Sequence, residues 1–525
     1  MLDRPALAAV TLTVNGIDHR VQANPFANLA DTLREGLGLT GTKVGCDAGD
    51  CGACTVLMDG EQACACLVPT GQAEGRAITT IEADDPLVDR LRAAFLAQGA
   101  AQCGICTPGM IMAAADLLTR HPAPTRRDIE DGIGGVLCRC TGYAKIVEAI
   151  ADVARGANAF APVAEAGCAV GTRIARADGQ AKVQGTDRFG ADVAPADALW
   201  LRAVRSPHAR ARFTLGDLDA VKAAHPGLEA ILTAADIPGE NSFGIFPTIK
   251  DQPVLAPGFT RYRGEAVLAL VGTREAVEGV ADADLPITWE VETPLIGVEA
   301  ALEPGAPPLH PNIPDNVLTR GYLETGDVAE GHRLGAATAE GRFRTGFVEH
   351  AYIEPEAGYA VRVGDRVEVT ACTQAAVMDQ EEVARVVGVP MSQVRIVPTA
   401  CGGGFGGKLD VSVQPLIAAA AWLLKKPVRI VYSRTESMAS TTKRHPSKIH
   451  AKMSADAAGR FTAYEMTGDF NTGAYASWGP TVANRVPVHA TGPYKVPHVL
   501  NRTRAVHTNE PPSGAFRGFG VPQAT

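Results

Sequence analysis

Residues 46–68 read CDAGDCGACTVLMDGEQACACLV. Cys46, Cys51 and Cys54 follow the spacing C-x4-C-x2-C, and Cys66 stands twelve residues after Cys54. This is the plant-type ferredoxin spacing for one [2Fe–2S] cluster. Thiolates and bridging sulfides are anionic, so the loop around them must bring backbone N–H groups close. Gly45, Gly49 and Gly52 permit that approach. Zinc loops favour paired short spacings, and the step from Cys46 to Cys51 does not fit them. Cys64 complicates the reading. On an extended strand Cys64 and Cys66 would face the same side, so the pattern alone leaves the fourth ligand open between them.

Nine of the twelve cysteines fall between Cys46 and Cys140. The start, MLDRPALAAVTLTVNG, shows no apolar h-region, which predicts a cytoplasmic protein with reduced thiols that serve metal binding rather than disulfides. The second set is Cys103-Gly-Ile-Cys106 and Cys138-Arg-Cys140. In isolation these pairs also fit a zinc knot. Each pair, however, stands before a helical stretch, 108–118 and 144–154, whose N-terminal N–H groups suit an anionic cluster. Two clusters in tandem form a wire for single electrons, so the rest of the chain is expected to make or consume them.

Around these loops, 10–14 and 17–21 flank Asn15-Gly16 as a type I′ hairpin. Leu29, Leu33 and Leu37 have helical spacing. Residues 55–58 and 63–68 read as strands around Asp59-Gly60. Residues 87–97, 110–118, 127–133 and 144–154 read as helices, with Thr125 as an N-cap. Residues 157–167 read as a linker. The proline-rich 294–314 reads as a connection between two subdomains. At 525 residues the chain predicts about three to five domains. Its 46% apolar and 20% charged residues exclude a disordered protein, and a net charge of −9 argues against nucleic acid as a partner. The longest apolar run, 416–424, is about half of what a membrane span needs.

The residues now carry a resemblance. The stretch 46–68, AQCGICTPGM (101–110) and LCRCTGYAKIVEAI (137–150) resemble the iron–sulfur portion of the molybdenum hydroxylases, the xanthine dehydrogenase and aldehyde oxidoreductase family. The likeness continues, in family order, through 170–193, LRAVRSPHARA (201–211), EHAYIEPEAGYA (349–360), TACGGGFGGK (399–408) and GAFRGFGVPQ (514–523). It implies a multidomain α+β chain: a β-grasp ferredoxin-like [2Fe–2S] domain over 1–82, a four-helix [2Fe–2S] domain over 83–156, a linker over 157–170, an α/β hammerhead over 171–300, and an incomplete molybdopterin-binding α+β domain over 301–525. It implies Cys46, Cys51, Cys54 and Cys66 as ligands of the cluster farther from molybdenum, which resolves the Cys64 ambiguity. Cys103, Cys106, Cys138 and Cys140 are implied for the nearer cluster, and Gln102 and Cys140 as pterin contacts.

GGGFGGK nearly satisfies a P-loop through Gly402, Gly407 and Lys408, but Leu409 stands where Ser or Thr would bind Mg²⁺. A nucleotide triphosphatase is rejected. In the family this loop passes the molybdenum centre, so Gly403, Gly404, Phe405 and Gly406 are expected at the cofactor, with Phe516 and Arg517 facing it from the second segment. Arg485 occupies the place of a substrate-binding arginine. Purine oxidisers carry Glu at the position of Leu409, and many members carry Gln at that of Val348. Both departures favour an aldehyde or an aromatic N-heterocycle over xanthine.

The resemblance thus implies a molybdenum–molybdopterin cofactor, its cytosine dinucleotide form being one candidate, and two [2Fe–2S] clusters. Water is the implied oxygen source, and electrons pass from molybdenum through the clusters to an external acceptor. Only a short stretch separates Ile146 from Thr172, so no FAD domain is expected, and a separate flavoprotein or cytochrome would accept electrons. The general-base glutamate of the family is expected outside this chain, on a second chain carrying the rest of the molybdenum domain. The rivals are an electron-transfer and scaffold subunit without molybdenum chemistry, and a non-hydroxylating alcohol dehydrogenase of the same family.

Overall fold

Asn15 and Gly16 both take positive φ, 51° and 78°, as a type I′ turn requires. The turn joins the antiparallel strands Ala8–Val14 and Ile17–Ala23 with Val10 opposite Val21. Val10, Leu12 and Val14 alternate inward and pack on Leu29 and Leu33. The helical spacing there becomes a short helix, Leu29–Asp31, capped by Asn28 and continued as a wider turn over Thr32–Gly36. The computed structural model describes residues 7–157, 165–172 and 174–525. Residues 158–164 of the expected linker, and residues 1–6 of the expected first domain, lie outside the described residues.

Among the described residues the first sheet has five strands, in the order Ile17–Ala23, Ala8–Val14, Ala77–Thr79, Thr55–Met58 and Glu61–Cys64. The second strand around Asp59-Gly60 is therefore shorter than the expected 63–68. It ends at Cys64, and Ala65–Leu67 turns into a 3-10 helix. The helices that follow are Pro86–Gln98, Thr107–Arg120, Arg126–Gly132 and Ala144–Ala154. Asp85 caps the first, with Pro86 at its first position and Gly99 left-handed at its end. Thr125 and Asp128 form a capping box on the third.

The chain divides into two compact units: Met1–Val193 with Ala351–Pro355 and Thr399–Gly403, and Ala194–His350 with Glu356–Pro398 and Gly404–Thr525. In the second unit the described residues form a seven-stranded mixed sheet. Its order is Val394–Pro398, Arg366–Ala371, Ala357–Val363, Val428–Val431, Leu199–Arg205, Ala266–Gly272 and Leu228–Leu232. Strands from both sides of residue 300 share this sheet. The helix Gln414–Leu424, the apolar run of the sequence, is buried against it with Ala376–Val387. A five-stranded sheet of the same unit orders Val317–Thr325, His498–His507, Phe461–Gly473, Ser447–Ala455 and Ala337–Thr345, and the helix Gly479–His489 packs on it. The stretch 294–314 is not a bare connection. It contains the helix Gly297–Leu302, and Leu295, Val298, Ala301 and Leu309 pack on Val506. Among the described residues no helix is long and apolar enough to cross a membrane.

Candidate functional site

The first cysteine loop owes its shape to close backbone approaches. The N–H groups of Cys51 and Ala48 point at the Cys46 sulfur at 3.3 and 3.4 Å. Gly52 has φ +64°, and a Cβ there would run into the Gly135 carbonyl. Burial pushes the Cys46 thiol up, but the N–H groups of Cys51 and Ala48 outweigh it and hold the thiol below its ordinary value. Cys51, more buried, is pushed up to about 11 by that burial. Cys66 sits buried in the 3-10 turn, and that burial pushes its thiol up against hydrogen bonds from Cys54 and from the Gly49 N–H. Cys64 ends the strand, half-buried. It hydrogen-bonds the Cys54 thiol, which lowers its own to about 6, and lies 3.9 Å from the Gly49 carbonyl. The chain direction thus changes between the two cysteines, so they do not share one strand face.

The second set converges from two loops. Cys106 stands at the N-cap of Thr107–Arg120, and Cys138 and Cys140 precede Ala144–Ala154. The Cys138 thiol is held far below its usual range by hydrogen bonds with Cys106 and then Cys140, and Cys140 is pushed up by hydrogen bonds with Cys103 and then Cys138. The four sulfurs are thereby linked in the series Cys106, Cys138, Cys140, Cys103. The Cys138 N–H donates to the Tyr143 hydroxyl at 2.9 Å, and Thr141 Oγ1 lies 3.1 Å from the Cys138 sulfur. Lys182 anchors the other loop, its ammonium on the Cys103 carbonyl at 3.3 Å and on Asp187 at 2.6 Å. Gln102 is exposed, and its carbonyl accepts from Arg176 at 2.7 Å. Cys46, Cys51 and Cys103 all touch one apolar cluster of Ile105, Phe189 and Ile353.

These nests fit iron–sulfur clusters. Each crowds cysteine sulfurs together and turns backbone N–H groups toward them, the setting that an anionic thiolate-held iron–sulfur cluster takes.

The glycine-rich segment crosses from the first unit to the second between Gly403 and Gly404. On the first side the buried Glu354 carboxylate accepts from the N–H groups of Gly402 (2.6 Å) and Gly190 (2.9 Å). On the second, Phe405 holds a left-handed φ of 56°. Its carbonyl accepts the Arg517 N–H at 2.8 Å, and the Arg517 guanidinium lies 5.2 Å over its ring. Gly406 has φ +104°, and a Cβ there would stand 2.6 Å from the Ala515 carbonyl. Gln374 Oε1 accepts from the N–H groups of Gly406 (3.1 Å) and Lys408 (3.3 Å) and so sets the turn. On the opposing segment, His350 stacks on Phe516 at 4.3 Å, and its Nε2 donates to the Ala515 carbonyl at 2.7 Å. Arg444 binds the carbonyls of Phe516 and Arg517 at 3.3 and 3.1 Å.

Phe405, Phe516 and Arg517 are thus brought together within one unit. Arg485, half-buried on Gly479–His489, lies in the same unit with its guanidinium 4.7 Å over the Phe519 ring, two residues beyond Arg517. Val348 is 45% exposed, and its carbonyl accepts the Arg444 N–H at 3.1 Å. Sequence reasoning did not single out Glu354, His350, Gln374 or Arg444. The first two lie inside a quoted motif, which was a usable signal. Gln374 and Arg444 had none. The tight glycine backbone, exposed guanidinium and left-handed Phe405 suit a flat, anionic, oxygen- and sulfur-rich group such as molybdopterin.

Comparisons with known proteins place the chain by domain and by fold. Family models match the 2Fe-2S iron-sulfur cluster binding domain over residues 12–77, the [2Fe-2S] binding domain over 77–151, the aldehyde oxidase and xanthine dehydrogenase a/b hammerhead domain over 184–292, and the molybdopterin cofactor-binding domain over 309–525. The nicotinate dehydrogenase large molybdopterin subunit of Eubacterium barkeri is 41% identical over 68% of this chain and 83% of its own length. The aldehyde oxidoreductase of Megalodesulfovibrio gigas is 31% identical over 98% of this chain, which spans 59% of that protein. A solved aldehyde oxidoreductase from Desulfovibrio gigas superposes with a TM-score of 0.92 at 30% identity, covering 99% of this chain and 60% of that one. Two iron–sulfur modules, a hammerhead and a molybdopterin fold, matched in one order along one chain, make it a member of the molybdenum hydroxylase family, that of xanthine dehydrogenase and aldehyde oxidoreductase.

Proposed function

We propose that this chain binds two [2Fe–2S] clusters and part of a molybdenum–molybdopterin centre in a hydroxylase that oxidises an aromatic N-heterocycle or an aldehyde with water as oxygen source. The observation that carries the reading is the clasp of Gly404–Gly406 against Ala515–Arg517, in a chain that also folds two four-cysteine nests. Cys46, Cys51, Cys54 and Cys66 would hold one cluster, and Cys103, Cys106, Cys138 and Cys140 the other. Gln102, Cys140, Gly403, Gly404, Phe405, Gly406, Phe516 and Arg517 would serve the pterin and metal, whose bound form supplies the two-electron oxidation while the clusters carry single electrons away.

The chain's own residues position and select. Gln374 and Arg444 fix the two backbone segments, and Glu354 ties the start of the glycine-rich stretch. Arg517 and Arg485 offer guanidinium groups to an anionic substrate. Leu409 offers no hydrogen bond to a purine. A lost buried hydrogen bond weakens discrimination by about 0.5–1.5 kcal/mol, up to roughly tenfold in rate. A heteroaromatic carboxylate therefore fits better than xanthine, and the relative in Eubacterium barkeri is named for such an acid, nicotinate. Several relatives are named as subunits of larger enzymes. A second chain completing the molybdenum domain and supplying the general base, with a separate flavoprotein or cytochrome as acceptor, belongs to this proposal. So do a cytoplasmic location and the five-part domain division at 82, 156, 170 and 300.

The test is turnover of the complete complex with an artificial acceptor, comparing nicotinate, a simple aldehyde and xanthine. Preference for xanthine over both would overturn the substrate reading. Iron without molybdenum in the purified complex would favour the electron-transfer rival.

A further inference from the structure

We propose that Asp251, His310 and His507 form a binding site for a divalent cation of the zinc class, separate from the cluster and pterin residues. One donor atom of each lies within 4.8 Å of the other two. The imidazoles are in ring contact, centroids 4.6 Å apart. The residues come from the loop before Phe259–Thr260, from the proline-rich stretch, and from the end of the strand His498–His507.

One short segment orients all three. His310 Nε2 lies 2.7 Å from the Ala474 carbonyl, and His507 Nδ1 lies 3.0 Å from the Gly473 carbonyl. A carbonyl only accepts, so each of these nitrogens carries the hydrogen. The lone pairs then sit on His310 Nδ1 and His507 Nε2. Asp251 Oδ2 accepts the Ala476 N–H at 2.8 Å. An imidazole that donates its far nitrogen to a backbone carbonyl is the usual outer arrangement of a metal-bound histidine. Asn316 braces the pair: its side chain accepts the Leu309 N–H and its carbonyl the His507 N–H, both at 2.8 Å.

A second observation points to a ligand. His507 is fully buried, and its Nε2 has no partner. An orphaned buried acceptor is costly, and a cation would remove the cost. Burial lowers His310 to about 4 and, with the neighbouring His310 ring, His507 to about 3, so both imidazoles offer neutral nitrogens. Burial raises Asp251 to about 6, and a bound cation would keep it ionised. Two imidazoles, one carboxylate and a water make the tetrahedral N/O set that zinc takes. The segment they grip leads directly into Gly479–His489, which carries Arg485.

The probe is zinc alone, added to the full chain in its purified complex and followed by desalting. The expected result is about one retained zinc per chain, with a nitrogen and oxygen shell at about 2.0–2.1 Å in the zinc X-ray absorption spectrum and no sulfur. His507→Gln should retain under about a tenth of that zinc while its iron is unchanged. Three results would overturn the proposal: no zinc retained by the unaltered protein, a sulfur shell, or undiminished zinc in His507→Gln. If that variant does not fold, the spectrum of the unaltered protein decides by itself.

Discussion

Cys64 and Cys66 differ by two positions in sequence and by a change of backbone direction in space. Cys64 closes a strand and is only half-buried, while Cys66 is buried in the 3-10 turn that follows; both hydrogen-bond Cys54. Cys66→Ser should therefore remove one of two [2Fe–2S] signals in electron paramagnetic resonance of the reduced protein, and Cys64→Ser should keep both. The reverse would show that the strand residue is the ligand. The cysteine spacing announced a cluster because iron–sulfur chemistry constrains both loop length and residue type. It could not choose between two cysteines on an assumed strand, because the turn that separates them, Ala65–Leu67, carries no glycine or proline to mark it. Gln374 was invisible for a related reason. A side-chain amide that holds two backbone N–H groups of a loop some thirty residues away leaves no local pattern.

Helix spans were legible to within about three residues. Ala144–Ala154 matches its expected span, and Thr125 caps Arg126–Gly132. Strand pairing between distant segments was not, because nothing near Leu199–Arg205 indicates that it lies beside Val428–Val431. The helix Ala376–Val387 shows what local pattern also hides. Its Asp379 faces inward, is almost fully buried, and is pushed up to about 7 by that burial against a hydrogen bond from Thr373. The folded chain then holds a proton that the unfolded chain, with a carboxyl near 3.8, releases. Stability from this group is full below about pH 4 and is lost as pH rises through about 7. Asp379→Asn should flatten that decline and stabilise the second unit at pH 8 by on the order of 2–4 kcal/mol. Denaturant midpoints measured at pH 4.5 and pH 8 read it directly. An equal or greater loss across that range in the variant would assign the pH dependence elsewhere.

Over the whole molecule the redox parts and the clasp sort into different bodies. Both cysteine nests belong to the unit that contains Met1–Val193, and Phe405, Phe516 and Arg517 belong to the other. Within the first unit the nests are built differently. One is a loop whose N–H groups point at Cys46; the other gathers four sulfurs from two loops that lead into helices, with Cys138 fixed by Tyr143 and Thr141. Hydrogen bonds to sulfur and solvent exposure both set the potential of a cluster, so the two centres should differ in potential and in spectrum. Cys46 and Cys51 of one nest and Cys103 of the other pack on the same apolar residues, Ile105, Phe189 and Ile353. A reductive titration of the complete complex, followed by electron paramagnetic resonance, should give two resolved [2Fe–2S] signals that appear at different potentials, with about four irons per chain. A single signal with about half that iron would mean that one nest does not hold a cluster, and the electron path proposed for this chain would fail with it.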